Sequence, residues 1–345
     1  VLQPRGSLRA GRMTVQERLS SNLSSSTGDL TALSNAIESM GLKEKDLESI
    51  FSAKELIRAE RSNTPEGAFK LAFVERNAGV NDIGVVAWLC KMQTREYPDG
   101  REIVLLANDV TFKAGTFGVD EDEFFSSVSN YTQARGVPFI FLSCNSGARL
   151  GQAEELKPLV RIAWTDATDH GKGFDYLYLT PQDLKKLPSG AVHTQRIRAP
   201  GAHDQGGGEV RHKITAIVGQ GLPSCAGGIG VENLKGSGLI AGTTSRAYRD
   251  IFTLSYITGR SVGIGAYLNR LGQRTIQMQQ GPMILTGFSA LNKLLGKEVY
   301  TSQDQLGGPQ IMVPNGVTHQ VVRNDAEGVT AILDWLSFVP QKAHA

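Results

Sequence analysis

The spacing of apolar and polar residues predicts alternating strands and helices from Phe69 onward. Short runs of consecutive apolar residues predict strands at 83–90, 102–107, 138–143, 176–179, 213–218, 251–258, 275–278 and 283–285. Segments with apolar residues three and four positions apart predict helices at 120–135, 237–249, 266–271, 289–295 and 326–338. Repeated strand–strand–helix units of this kind predict an α/β fold in which β-β-α units follow one another in a spiral.

Residues 1–65 have a different character. They are poor in aromatic residues and contain a serine cluster at 20–26, and apolar residues at helical spacing over 30–57 are interrupted by Gly41. This pattern predicts a leader with one or two small helices. Because the chain lacks both an initiator Met and a signal-like apolar start, we expect a piece of a longer polypeptide. The predicted division is a helical leader (1–65), one globular unit (66–340) and a short tail (341–345).

Composition excludes several classes of function. The 345 residues carry a net charge of +2 from 36 basic and 34 acidic side chains, so no global charge favours nucleic acid or a membrane surface. No apolar run approaches the roughly 20 residues that span a bilayer. Three cysteines without a CxxC pair favour a reduced compartment, and the six histidines lack the spacing of a zinc site. We therefore expect no metal ligands.

Two glycine-rich turns carry the most specific chemistry. Residues 259–272 (GRSVGIGAYLNRLG) follow a predicted strand and lead into a predicted helix, whose first N–H groups have no partner and favour negative charge. Residues 138–144 form another apolar strand that ends at 145–149 (NSGAR), after which a helix can begin. Facing each other, two such turns would offer two donors to an oxyanion, as a reaction through a thioester enolate requires.

Three other readings of the motifs are weaker. Residues 236–242 (GSGLIAG) have the outline of a dinucleotide-binding turn but lack a preceding strand and a suitably placed acidic residue. Cys144 at a strand end could be a nucleophile, yet no histidine base lies nearby in the sequence. The acidic run at 120–123 is typical of a helix start, where it stabilises the helix dipole.

Many short motifs occur in a fixed order between residues 77 and 340. They are NDIGVVAW (81–88), EYPDGR (96–101), ANDVTF (107–112), NSGAR (145–149), GFDYLYL (173–179), GVENL (230–234), the run 259–274, LNKLL (291–295), EVYTS (298–302) and QLGG (305–308). In these motifs the chain resembles the N-terminal half of the carboxyltransferase component of eukaryotic multidomain acetyl-CoA carboxylase. The resemblance covers about three quarters of the chain.

This resemblance implies a crotonase-like (ClpP/crotonase) fold and the transfer of a carboxyl group from carboxybiotin to acetyl-CoA. The product would be malonyl-CoA, in the committed step of fatty acid biosynthesis. Biotin would arrive on a separate carrier domain, whereas ATP, bicarbonate and Mg would act at a separate biotin carboxylase domain. The site would be completed by the C-terminal half of a partner subunit in a homodimer. That half is missing here, so we expect the isolated chain to be inactive. The compartment implied is the cytoplasm or the plastid stroma.

The resemblance also implies site residues. The oxyanion donors would be the backbone N–H groups of Ala148 and Ile264, and Gly147, Gly263 and Gly265 would allow the close approach of the backbone.

Substrate contacts are implied at four further positions. Arg260 would hold CoA or a carboxylate, although a surface salt bridge is the simpler alternative. Arg149 could hold CoA or a carboxylate in the same way, unless it forms an ion pair with Glu154 or Glu155 instead. Tyr267 and Leu234 would line the apolar part of the site, and as ordinary core residues they would look the same in sequence.

Two alternatives remain open at this point. A crotonase-fold acyl-CoA hydratase, isomerase or hydrolase would need a placed Glu or Asp, and none stands out in either turn. A catalytically silent fragment that binds CoA or forms a dimer would share all of these motifs.

Overall fold

The structure is a computed structural model that describes residues 51–61, 69–77, 79–151, 153–199, 208–225, 229 and 234–343. Its strands are β1 (Phe51–Arg61), β2 (Phe69–Val74), β3 (Val85–Met92), β4 (Arg101–Asn108), β5 (Phe139–Ser143), β6 (Arg161–Trp164), β7 (Phe174–Leu179), β8 (Val192–Arg198), β9 (Val210–Ile217), β10 (Thr253–Ile257), β11 (Ser261–Val262), β12 (Arg274–Met278), β13 (Met283–Ile284) and β14 (Gln320–Val322). Its α-helices are α1 (Val119–Arg135), α2 (Pro181–Leu184), α3 (Leu234–Asp250), α4 (Ile264–Leu271), α5 (Phe288–Leu295), α6 (Asp304–Gly307), α7 (Pro309–Met312) and α8 (Asp325–Ser337).

An eight-stranded sheet in the order β14-β12-β10-β5-β4-β3-β1-β2 organises these elements. The first five strands of this order are parallel to one another, and β3, β1 and β2 continue the sheet in antiparallel fashion. All five residues of β10 are buried, as expected for a parallel strand covered on both faces. Since β5 and β10 are parallel neighbours, with Ser143 opposite Ile257, the turns that follow them lie at the same edge of the sheet.

The predicted β-β-α spiral is visible in two successive units. The first unit is β10-β11-α4 and the second is β12-β13-α5. Their long strands, β10 and β12, pair in the main sheet, whereas the two-residue strands β11 and β13 pair parallel in a small sheet of their own. Strands β6, β7, β9 and β8 form a separate four-stranded antiparallel sheet.

Helices cover the main sheet through two apolar clusters. In one cluster Phe125 of α1 packs edge-on against Phe139 and Phe141 of β5, with ring centroids 5.9 and 5.5 Å apart. Ile240 of α3 is buried in the same cluster. Another cluster joins Leu336 and other residues of α8 to β10 and β12. Edge-on aromatic pairs contribute about 0.5–1.5 kcal/mol each beyond the burial of their area, so α1 holds β5 firmly.

Apart from the helix start expected after Arg149, each strand and helix predicted beyond residue 82 overlaps an observed one, which confirms the α/β class. The helical interpretation of residues 51–57 is wrong, because β1 occupies them and pairs with β3. Leu56 is the buried apolar residue of this segment, and it points into the core of the sheet. The main sheet thus includes residues before position 66. The helices predicted between residues 30 and 50 lie outside the described residues.

None of the helices in the described part of the chain combines the length and apolarity needed to cross a bilayer. The same residues contain no group of three or more His, Cys, Asp or Glu side chains that could hold a metal ion.

Candidate active site

The turn after β5 and the turn after β10 touch each other. Gly147 and Gly263 both have positive φ, 76° and 54°, a conformation that favours glycine. A Cβ atom at Gly147 would lie 2.9 Å from the carbonyl oxygen of Val262 and 3.7 Å from the nitrogen of Gly263. The structure therefore brings together the two turns that the sequence singles out, and it leaves no room for a side chain at Gly147.

Ala148 sits in a short parallel bridge with Phe117. The Phe117 N–H donates to the Gly147 carbonyl at 2.9 Å, and the Arg149 N–H donates to the Phe117 carbonyl at 2.7 Å. In parallel pairing, Phe117 bonds to Gly147 and Arg149, the two neighbours of Ala148. The N–H of Ala148 itself therefore points to the opposite side, away from Phe117. No helix begins after Arg149, contrary to the sequence prediction; the chain continues through this bridge and into a series of turns.

Ile264 is the first residue of α4, and Gly263 caps this helix without a side-chain hydrogen bond. Such a helix start leaves backbone N–H groups without intrahelical partners and carries the positive end of the helix dipole. Neither the Ala148 N–H nor the Ile264 N–H donates to an acceptor within the described residues. Two donors without an acceptor in the described part of the chain thus flank the contact between the turns.

Asn145 is a site residue whose role the sequence did not reveal. Its side chain is 2% exposed. Its Oδ1 accepts hydrogen bonds from the N–H groups of Gly147 at 3.1 Å and Val262 at 3.3 Å. Its own N–H donates to the Arg260 carbonyl at 2.8 Å. The signal in the sequence was a lone Asn at a strand end before a Ser-Gly pair, which an Asx turn alone would explain.

A buried polar network surrounds the amide group of Asn145. Its Nδ2 lies 3.2 Å from the side-chain oxygens of Asn108, Ser143 and Ser261. Gly265 packs directly on this side chain, since a Cβ atom there would lie 2.0 Å from Asn145 Oδ1. Within the described residues, the close packing at Gly265 is made with the side chain of Asn145.

Arg260 is exposed at the edge of the two turns, and its guanidinium donates to Ser146 Oγ at 2.8 Å. Cys144, the residue that follows β5, is half-buried. Burial raises the pKa of its thiol, although the charge of Arg260 partly opposes this. A raised pKa is the opposite of what a thiolate nucleophile needs, so the geometry does not favour that reading.

Apolar side chains stand exposed around the turns. Tyr267 on α4 is 54% exposed, and Leu150 and Leu285 are exposed as well. Leu285 belongs to the chain just after β13, whose Ile284 carbonyl accepts from the Gly263 N–H at 2.9 Å. Leu234 begins α3, but its side chain lies outside the described residues.

Arg149 does not occupy the position expected from the sequence. It is buried and forms an ion pair with Glu121 of α1, and its Nε donates to Thr116 Oγ1 at 3.1 Å. The alternative pairing with Glu154 or Glu155 is wrong, because these side chains bond to Lys157 and Ser224. A buried guanidinium needs a carboxylate beside it, and this ion pair lets Arg149 brace the turn from below.

The known proteins that this chain resembles in sequence include several acetyl-CoA carboxylases. The chain is 53% identical over 268 residues to acetyl-CoA carboxylase 1 of Oryza sativa subsp. japonica, covering 77% of this chain and 11% of that protein. It is 49% identical over 303 residues to acetyl-CoA carboxylase 1 of Arabidopsis thaliana, covering 87% and 13%. It is 50% identical over 301 residues to the mitochondrial acetyl-CoA carboxylase of Saccharomyces cerevisiae, covering 87% and 12%. The chain thus spans about an eighth of the length of these relatives.

Among solved structures, the chain is similar to transcarboxylase 12S with hydrolysed methylmalonyl-coenzyme A bound. The TM-score is 0.48 at 16% identity, over 75% of this chain and 34% of that one. Residues 95–345 match the carboxyl transferase domain. With a match over more than half of its length, the chain belongs to the carboxyl transferase domain family.

Proposed function

We propose that this chain forms the N-terminal half of an acetyl-CoA carboxylase carboxyltransferase, with the crotonase-like fold that the β-β-α spiral represents. The reaction would move the carboxyl group of carboxybiotin to acetyl-CoA and give malonyl-CoA for fatty acid biosynthesis. The observation that carries this proposal is the contact between the two glycine turns, which leaves the N–H groups of Ala148 and Ile264 without acceptors among the described residues.

These two N–H groups fit the oxygen of a thioester enolate. Donors that are already in place stabilise the negative charge as it develops, and the loss of one such donor typically costs on the order of 3 kcal/mol of transition-state stabilisation. The start of α4 adds the field of its dipole at Ile264. Gly147, Gly263 and Gly265 let the backbone approach closely. Carboxybiotin, carried on a separate domain, would supply the carboxyl group and take up the methyl proton.

Exposed residues at the edge of the two turns would bind the substrate. Arg260 is exposed there and presents a planar guanidinium, which suits a phosphate or a carboxylate. Tyr267 and Leu285 offer exposed apolar surface to the acyl or pantetheine part of CoA.

Exposed apolar surface also supports a partner. Helix α5 is amphipathic, yet it contains no buried residue; Leu294 is 82% exposed, and Leu150 beside the first turn is exposed to the same extent. Patches of this kind mark interaction sites. We therefore assign the exposed side chains on α5 and beside the first turn to contacts with the C-terminal carboxyltransferase half of a partner subunit in a homodimer, with the biotin carrier domain as a transient partner. ATP, bicarbonate and Mg would act at another domain, in an enzyme of the cytoplasm or the plastid stroma.

A crotonase-fold hydratase or isomerase is less well supported. It would need a carboxylic acid or carboxylate at the reacting carbon. The groups that hydrogen-bond to Asn145, Gly147 and Val262 are amides, hydroxyls and backbone groups. Glu121, a carboxylate below the first turn, is held in an ion pair by Arg149.

The test is malonyl-CoA formation from acetyl-CoA and carboxybiotin, measured with the chain alone and after addition of the matching C-terminal half. We expect no product from the chain alone and turnover once the other half is added. Robust turnover by the chain alone would contradict the shared site. Binding of acetyl-CoA without turnover in either sample would indicate a silent fragment, and hydration of an enoyl-CoA would indicate the hydratase.

A further inference from the structure

The two proposed donors lie on different segments of the chain, and one buried side chain joins these segments. We propose that Asn145 is the positioning residue that sets the distance between the donor groups of Ala148 and Ile264. This inference rests on the proposed function and adds to it a residue that contacts neither substrate nor biotin.

The connection is made by a single atom. Asn145 Oδ1 accepts from the Gly147 N–H at 3.1 Å and from the Val262 N–H at 3.3 Å. Gly147 is the residue before one donor, and Val262 lies two residues before the other. Because both N–H groups converge on one oxygen, neither turn can move away from the other without breaking a hydrogen bond. The backbone bond from Asn145 N–H to the Arg260 carbonyl, 2.8 Å long, adds a second tie.

The neighbours of the side chain fix which way its amide group faces. Backbone N–H groups only donate, so the oxygen of Asn145 must face Gly147 and Val262. Its nitrogen then faces Asn108 Oδ1, which also accepts from the Cys144 N–H at 3.1 Å. An aspartate at position 145 would therefore set an oxygen against an oxygen and bury a negative charge, so an amide is required.

Packing prevents the side chain from shifting to another position. Asn145 is 2% exposed. It packs so closely on Gly265, in the first turn of α4, that a methyl group added to Gly265 would collide with the Asn145 amide. Ser261 Oγ contacts both Asn145 Nδ2 at 3.2 Å and Asn269 Nδ2 at 2.9 Å, which links the network to α4 itself. The first turn of the donor helix is thus built around this amide.

The experiment uses a complete acetyl-CoA carboxylase in which this chain replaces the matching segment. Asn145→Asp keeps the size of the side chain but loses its donor, and Asn145→Ser keeps a hydroxyl that is too short to reach both turns. Thr243→Val is the control, because Thr243 is buried and its hydroxyl donates a hydrogen bond of 3.1 Å to the exposed Asn130, between α3 and α1. Steady-state kinetics with acetyl-CoA and thermal unfolding are measured for all four proteins.

We expect kcat to fall about 100-fold in both Asn145 variants, as a misplaced or lost oxyanion donor would cause, while the KM for acetyl-CoA changes less than about threefold. The control should keep its kcat within about twofold. An equal loss of kcat in the control, or a loss confined to KM, would overturn the role of Asn145 while the proposed function stands.

Two further outcomes are decisive. If both Asn145 variants fail to fold while Thr243→Val folds, Asn145 is a folding residue and the inference is overturned. If the unsubstituted enzyme forms no malonyl-CoA although it folds, the proposed function fails and this inference falls with it.

Discussion

Arg149 and Glu121 form an ion pair beneath the turn that carries Ala148, where their side chains are only 10% and 1% exposed. The carboxylate of Glu121 also accepts hydrogen bonds from the N–H groups of Gly84 and Gly118, each at 2.9 Å. It thereby caps α1 and holds the residue that immediately precedes β3. One carboxylate thereby connects three segments that meet below the site. The arginine of the NSGAR motif supports the turn from inside the protein.

Replacement of Arg149 should therefore lower stability strongly. Arg149→Met leaves the Glu121 charge buried without its partner, and removal of one member of a buried pair costs about 3–5 kcal/mol. The measurement is urea unfolding. Arg135→Met is the matched control, because its ion pair with Glu102 is about one third exposed and should contribute less than about 1 kcal/mol. Equal losses in the two variants would contradict the bracing role of Arg149.

Replacement of Arg260 should affect binding and not folding. In the complete enzyme, Arg260→Ala should raise the KM for acetyl-CoA about tenfold, as the loss of one charged contact would, with an unchanged Tm. Arg260→Lys should recover only part of the affinity, since an ammonium group cannot reproduce a planar fork. Arg323→Ala, which removes an exposed arginine in an ion pair with Glu327, is the control. Unchanged kinetics in Arg260→Ala would make Arg260 an ordinary surface residue.

A methyl group at Gly265 should disturb the site directly. In Gly265→Ala the new Cβ would meet Asn145 Oδ1 at 2.0 Å, so the network must shift, and kcat should fall on the order of 10- to 100-fold. Gly238→Ala is the control on α3, where nothing lies within 4 Å of the added carbon and a helical Ala should stabilise by about 0.5–1 kcal/mol. Wild-type kcat in Gly265→Ala would show that the turns tolerate displacement.

Asp122 should make stability depend on pH. Burial, followed by the nearby charges of Glu121 and Glu123, raises the pKa of Asp122 well above its ordinary value. Its Oδ1 has no hydrogen-bond partner among the described residues. A raised pKa means that the folded protein binds this proton more tightly than the unfolded chain. The stabilisation is thus complete below the ordinary carboxyl pKa and is lost as the pH rises through the folded-state pKa.

Asp122→Asn should consequently raise the free energy of unfolding at pH 8 by about 1–3 kcal/mol relative to the parent protein. The difference should shrink towards pH 4, where the parent carboxyl is also neutral. Denaturant unfolding at both pH values measures it. A difference that is independent of pH would show that the carboxyl does not titrate as its burial indicates.

The sequence was informative where the signal is local. Apolar strands followed by glycine turns located the loops after β5 and β10, and the parallel order of these strands brings their ends to one edge. The role of Asn145 could not be read in this way, because its partner Ser261 lies 116 residues further along the chain. The carboxylate partner of Arg149 escapes a local pattern for the same reason, because Glu121 lies 28 residues before it, on α1.

The N-terminal strand shows a different limit. Residues 51–57 carry apolar residues at a spacing that suits a helix, but the edge of β3 offers unpaired backbone groups, and pairing with them decides the conformation of β1. Tertiary pairing of this kind overrides local propensity. The two-residue strand β11 is too short for the apolar pattern to reveal it.

The bridge between Phe117 and Ala148 gives the site a built-in reporter. The N–H groups of Phe117 and Arg149 donate hydrogen bonds in the bridge, whereas the N–H of Ala148 has no acceptor among the residues that the structure describes. In hydrogen–deuterium exchange, the amide proton of Ala148 should therefore exchange fast, whereas those of Phe117 and Arg149 should be protected. Occupation of the donor position by a thioester oxygen should slow the exchange at Ala148 and leave that at Phe117 and Arg149 unaltered. The exchange rate of this single backbone amide would then distinguish the empty site from the occupied one, and no substitution would be needed.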